Sequence, residues 1–293
     1  MLSATTSRLL GLFHHLSGAY FGNQLCKSKI VAITKDKVLF SCLVKKEVTK
    51  NGILTSSAAF AIFDELSTVG LIALDKQHRP GVSVSLSTTL TPSETIKIGE
   101  EMTLEVQYEK IGKTIAFTSM IMRNEKKSII ARGNHIKYLP LGWFFDNIIS
   151  IPFIFDNLTK ALYNIDENVP TWLGNKMLES SEYKPLSSKS SNKNENDSDS
   201  HQSQSVFDDL DMTNSEFKIK RMHCNPFNMA HGGALGMAIE EAAIQSVAKG
   251  REMLSVEVNY LNSIPLGSTA TIIFQQTENY EDANTYKGNI LCN

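Results

Sequence analysis

The sequence predicts an α+β protein of two like units. Each is an antiparallel sheet wrapped around a long central helix, and the second is cut short at its C-terminus. Three observations carry that reading. Ala59, Phe60, Phe63, Leu66, Val69 and Leu71 recur at helical spacing between Ser56 and about Leu74, the mark of a packed helix. Strand-like runs separated by turn residues follow. A second strand–helix–strand series then begins near Phe217, beyond a polar stretch at 185–205.

Element by element, residues 29–47 alternate as two strands turning at Asp36-Lys37, and Thr49 to Leu54 is loop. After the helix come strands at Gly81 to Ser87, Met102 to Tyr108, Thr114 to Arg123 and Ser128 to Lys137. Ile111-Gly112-Lys113 and Asn124-Glu125-Lys126-Lys127 mark their hairpins. In the second series Phe217-Lys218-Ile219-Lys220 is a strand, Gly232 to about Ala248 a helix, and Leu254 to Leu261 and Thr269 to Gln276 are strands. One further strand would complete that unit after Tyr286 to Leu291, so a sheet edge is expected to be open unless the intervening segment or a partner covers it.

The resulting organisation is a first unit over 1–139, an inserted apolar helical segment over 140–184, a linker over 185–205 and a second unit over 206–293. The linker is almost wholly Ser, Asn, Lys, Asp, Glu and Gln, which cannot bury a core and reads as disordered. No acid precedes Asp36. That fits a mitochondrial presequence, and equally an N-terminal helix belonging to the fold, so the expected location is mitochondrial or cytoplasmic.

At 293 residues the chain is long enough for two domains. A formal net charge of -2 offers no basic excess for nucleic acid. Cys26, Cys42, Cys224 and Cys292 show no metal-ligand spacing and read as free thiols, so no metal is expected. No uninterrupted apolar run of about 18 residues suggests a spanning helix; the nearest candidate, Trp143 to Phe155, is interrupted by Asp146 and Pro152.

The chemistry concentrates in the segment from His223 to Glu241, where a polar loop enters His231-Gly232-Gly233 and an apolar helix begins. First-turn amides have no partner within a helix and carry the positive end of its dipole. They polarise a carbonyl that comes close, and glycine has no Cβ to block the approach. The pattern N-x5-HGG-x6-E, from Asn225 through His231, Gly232 and Gly233 to Glu240, resembles hotdog-fold acyl-CoA thioesterases of the acyl-coenzyme A thioesterase 13-like and phenylacetate-pathway groups. Phe63 to Thr68, Pro80 to Val84, Gly112 to Ser119 and Ile130 to His135 resemble further blocks of such a domain. The resemblance covers roughly 21–139 and, less completely, 217–290, and so implies a tandem hotdog repeat.

A helix rises ~1.5 Å per residue, which leaves Gly232 and Glu240 roughly 12 Å apart along one axis. One carbonyl cannot be served by both, so amide and acid must come from two antiparallel helices. The resemblance implies the same: a site shared between two units. Aligning the units pairs Asp64 with Glu240, Ser83 with Ser255, and His231-Gly232-Gly233 with Thr55-Ser56-Ser57, while Lys50 or Asn51 stands near the place of Asn225. One site is therefore complete (Asn225, His231, Gly232, Asp64, Ser83), and a degenerate second site consists of Ser56, Glu240 and Ser255.

The resemblance assigns roles. The Gly232 amide polarises a thioester carbonyl and Asn225 holds that carbonyl or a water. Asp64 is general base or nucleophile, Ser83 positions the water, and His231 fixes the loop. Gly233, Arg132 and His135 are candidate substrate contacts, the last two for a coenzyme A phosphate. The implied function is hydrolysis of a fatty or aryl acyl-CoA, with coenzyme A arriving as part of the substrate and no separate cofactor. The alternative is a catalytically degenerate structural subunit of a larger assembly. A homo-oligomer of such paired units is the expected state of an enzyme on this plan.

Overall fold

The computed structural model describes residues 25–45, 48–50, 52–139, 216–225, 229–245, 253–279 and 284–292. The expected presequence or N-terminal helix, the inserted segment 140–184 and the linker 185–205 lie outside the described residues. Strands β1 (Cys26–Ile33) and β2 (Lys37–Val44) pair antiparallel. The stretch expected as plain loop forms a small ladder, β3 (Thr49–Lys50) on β4 (Ile53–Leu54), turning at Gly52 with φ of 78°. That left-handed conformation suits a residue without a Cβ.

Helix α1 (Ser56–Leu74) has the bounds its periodicity predicts. Its N-cap is Thr55, whose hydroxyl accepts from the Ala58 amide at 3.2 Å. Every residue from Ser56 to Ile72 is buried, because the sheet covers one side and a second helix the other. By length and composition α1 could cross a membrane, but 89% of its apolar window is buried inside the fold, so it is the core helix.

Strands β5 (Val82–Leu90), β6 (Glu101–Ile111), β7 (Ile115–Arg123) and β8 (Ile129–Tyr138) complete the first half of the chain. The sheet runs β1-β2-β6-β7-β8-β5 and continues into the second half of the chain through β10 (Ser255–Asn259), which pairs antiparallel with β5. A bulge between Ser83 and Ser85 shifts the β5–β8 register. It allows Ser83 and Leu86, an odd number of residues apart, both to face the helix.

The second half also contains β9 (Glu216–Lys218), helix α2 (Gly232–Ala243), β11 (Thr269–Asn279) and β12 (Asn284–Cys292). The helix was expected to reach about Ala248; α2 ends at Ala243, and residues 246–250 are outside the described set. Strands β12, β11 and β9 form their own sheet. In the first half β8 stands between β7 and β5, but among the described residues no strand joins β12 to β10.

Helix α2 packs on α1 through its glycines. A Cβ on Gly233 would meet the Ala61 backbone at 2.7 Å, and one on Gly236 would meet the Phe60 ring at 2.5 Å. Both bare positions let the helix axes close to backbone contact. Gly236→Val should therefore lower stability by about 1–3 kcal/mol through overpacking. Urea unfolding of the variant against the parent chain measures this; an unchanged midpoint would mean that the helices do not meet there.

Candidate functional site

Asp64 lies midway along α1, and α2 presents its N-terminus to it. The Gly233 amide donates to Asp64 Oδ2 at 3.0 Å, and the Ser83 hydroxyl donates to Oδ1 at 3.0 Å. At the far end of the same contact the roles are exchanged. Glu240 of α2 accepts from the Ser57 amide at 3.3 Å and from the hydroxyls of Ser56 and Ser57 at the start of α1. Each acid sits seven residues along its helix from the amide that serves the other acid, as two antiparallel helices require.

His231 is the N-cap of α2. Its Nδ1 accepts from the Gly233 amide at 3.0 Å, and its Nε2 lies 3.1 Å from Glu65 Oε2. The same Nδ1 is 3.3 Å from Asp64 Oδ2, so protonation there exchanges the bond from the Gly233 amide for an ion pair with Asp64. Burial works against a charged ring, but Asp64 and Glu65 outweigh it and raise the His231 pKa above its usual value.

Behind Asp64, β8 supplies two buried basic side chains. Lys137 Nζ is 3.6 Å from Asp64 Oδ1 and 3.3 Å from the Ser83 hydroxyl oxygen. His135 is wholly buried, with Nε2 at 3.0 Å from Ser83 Oγ and Nδ1 at 2.7 Å from Ser67 Oγ. Burial pushes the His135 pKa well down, so the ring is neutral and orients Ser83 rather than carrying charge. Burial also lowers the Lys137 pKa, against the pull of Asp64 and Glu65. For Asp64 itself, burial alone would raise the pKa; His231 and Lys137, with the Ser83 hydroxyl, hold it well below the usual carboxylate range. Asp64 is an ionised, oriented carboxylate at any physiological pH.

Asp64, Glu65, Ser83, Lys137 and His231 line a cavity of about 440 Å³ between the two halves of the chain. Asp64 and Ser83 come from the first half, and Asn225, His231, Gly232 and Tyr260 from the second. The amide of Gly232, first in α2, has no acceptor within its own helix. A Cβ there would stand 2.6 Å from both Asp64 Oδ2 and the Tyr260 hydroxyl. Asn225 closes its own turn, its side-chain oxygen accepting from the Met229 amide at 3.3 Å. Much of the rest of the wall is apolar, including Val82, Met229, Leu235, Leu261 and Ile264.

The five residues expected to share one site thus border one cavity. Gly233 is drawn in differently from expectation: its amide is committed to Asp64 and His231 rather than open to a ligand. The pairing of Arg132 with His135 on a coenzyme A phosphate is corrected. Three residues apart on β8, they face opposite sides of the sheet. Arg132 is exposed on the outer face, while His135 is sealed beneath α1 against Ser67 and Ser83. Ser255 is corrected too. Its hydroxyl donates to the Thr88 carbonyl at 3.1 Å and contacts Thr89 Oγ1 at 3.0 Å, both on β5 and away from Glu240. The β10–β5 register has no bulge to turn Ser255 inward as Ser83 is turned. The Lys50 side chain and Asn51 lie outside the described residues.

Sequence reasoning missed Lys137, Glu65 and Tyr260. Lys137 was within reach, since it lies two residues from His135 on a predicted strand and so on the same face. Tyr260 was not, because its place depends on β10 pairing with a strand about 170 residues earlier.

No family model matches the chain. It is 33% identical over 122 residues to acyl-coenzyme A thioesterase 13 of Homo sapiens, a span of 41% of this chain and 84% of that protein. The Mus musculus protein of the same name matches to the same extent. A crystal structure of thioesterase superfamily member 2 from Mus musculus shares 31% identity over 39% of this chain and 83% of that one, with a TM-score of 0.35.

The electrostatics of the cavity predict one titration directly. His231 should gain its proton at a pH above the usual 6.5 because Asp64 and Glu65 face it. Asp64→Asn removes one of those charges and should move the His231 midpoint to lower pH. Ring-proton NMR reads both; a midpoint that ignores the substitution would separate His231 from Asp64.

Proposed function

The chain belongs to the acyl-coenzyme A thioesterase 13 family of hotdog thioesterases, and from that premise we propose that it hydrolyses acyl-CoA thioesters at one composite site between its two halves. The observation that carries this is the Asp64 carboxylate of α1 bonded to the first turn of α2 at the wall of a largely apolar cavity. In this reading residues 216–292 are a second, divergent copy of the fold. The reciprocal bonds of Asp64 to Gly233 and Glu240 to Ser57 support it.

The apolar wall takes the acyl chain and the free first amide of α2 meets the thioester carbonyl oxygen. A water held by Ser83 and Asn225 gives its proton to Asp64 and attacks the carbonyl carbon. The C–O bond forms, the electron pair passes to the oxygen facing Gly232, and on collapse the C–S bond breaks. The departing thiolate of coenzyme A takes the proton from Asp64, and the acid leaves. Lys137 and His231 hold Asp64 ionised, and His135 aims it through Ser83. The low pKa costs basicity but keeps the carboxylate ready at all physiological pH values. No cofactor is needed.

The other half-site is not proposed to turn over. Ser56 and Ser57 replace the glycines and bond Glu240 directly, and Ser255 points elsewhere. That loss is what favours the second reading, a structural subunit. Co-elution of the native protein with a large assembly, together with inactivity of the purified chain, would select it.

Release of free thiol from acyl-CoA by the purified chain is the direct assay. Asp64→Asn should lower kcat by about 10²–10⁴-fold, and Glu240→Gln should change it by only a few-fold. An Asp64→Asn variant as fast as the parent would refute the mechanism. The acid limb of the pH–rate profile should fall below the ordinary carboxylate range, because the folded-state pKa of Asp64 is depressed and the ionised form persists as pH drops through that range.

A further inference from the structure

Tyr260 follows β10, and its amide donates to the Val84 carbonyl at 2.9 Å, tying the backbone to the β5 bulge. The ring enters the cavity, and its hydroxyl is buried with no hydrogen-bond partner among the described residues. Buried hydroxyls normally find a partner, whereas this one borders Gly232 at the same point as Asp64 Oδ2. It is not bonded to Asp64, which is already served by Gly233 and Ser83. Burial and the neighbouring Asp64 charge keep the phenol protonated, so it can donate but cannot act as a base.

A lone donor beside the free first amide of α2 needs an acceptor from outside the protein. We propose that Tyr260 contacts the substrate directly, its O–H donating to the acyl carbonyl oxygen as the second donor beside the Gly232 amide. Two donors converging on that oxygen stabilise the charge that develops there when water attacks. The inference rests on the thioesterase reading above and adds a residue to it. It also explains why only one half of the chain needs this tyrosine: the carbonyl is held on the α2 side, and Asp64 and Ser83 approach from the α1 side.

Tyr260→Phe in the full chain keeps the ring and removes only the hydroxyl. For acyl-CoA hydrolysis, kcat should fall about 10²-fold, in the range for loss of one oxyanion donor, with KM rising no more than about tenfold. Two inert probes separate contact from packing: an acyl-CoA analogue with CH2 in place of sulfur, which keeps the carbonyl, and a thioether analogue, which lacks it. By calorimetry, the variant should bind the ketone about tenfold more weakly and the thioether as the parent does. Unchanged kcat, or equal losses for both probes, would overturn the assignment. If the parent chain hydrolyses nothing, the thioesterase reading fails on its own, and the difference between the two probes still decides the role of Tyr260.

Discussion

The contact between Asp64 and the first turn of α2 is the constraint from which the rest of this structure follows. A carboxylate buried under a sheet is costly unless its oxygens are bonded and its charge compensated. Here Oδ2 is met by an amide from one half of the chain, Oδ1 by a hydroxyl from the other, and Lys137 and His231 approach from either side. The amide can arrive only if the helices lie antiparallel and nearly touching. That in turn demands bare positions where α2 crosses α1, which Gly233 and Gly236 provide. Fold, helix spacing and cavity are thus one requirement met three times.

The same contact divides the two ends of the helix pair. At Asp64 the neighbouring glycine leaves room, and a cavity opens against Asn225 and Tyr260. At Glu240 the matching positions are serines, whose hydroxyls fill that room and satisfy the acid internally. Burial raises the Glu240 pKa, and the hydrogen bonds from Ser57, Thr55 and Ser56 only partly offset it. One carboxylate borders an open cavity, the other fastens the start of α1.

What could be read from the residues alone follows from which interactions are local. The bounds of α1 were legible because its apolar period and Thr55 cap are written within a few residues of each other. The meeting of Asp64 with the α2 start was legible for another reason: a rigid helix keeps its own amide and acid two turns apart, and the thioesterase resemblance names Asp64 as the acid from the other helix. The bulge that turns Ser83 inward was not, since it is set by how β5 registers on β8. Nor was the opposite facing of Arg132 and His135 used, although strand alternation implied it. The burial of Lys137 and the aim of Tyr260 arise from the β5–β8 and β5–β10 pairings, which no local pattern encodes.

The seam between β5 and β10 joins segments about 170 residues apart. Contacts of that separation form late, after neighbouring hairpins have closed, because the intervening chain must first lose its freedom. During synthesis the acid and the buried lysine of the first half therefore stand ready before the strand, the helix start and the tyrosine that enclose them exist. Closing the cleft therefore carries a larger cost in chain entropy than closing any hairpin of the sheet, and loosening that seam would open the chamber while leaving the hairpins intact.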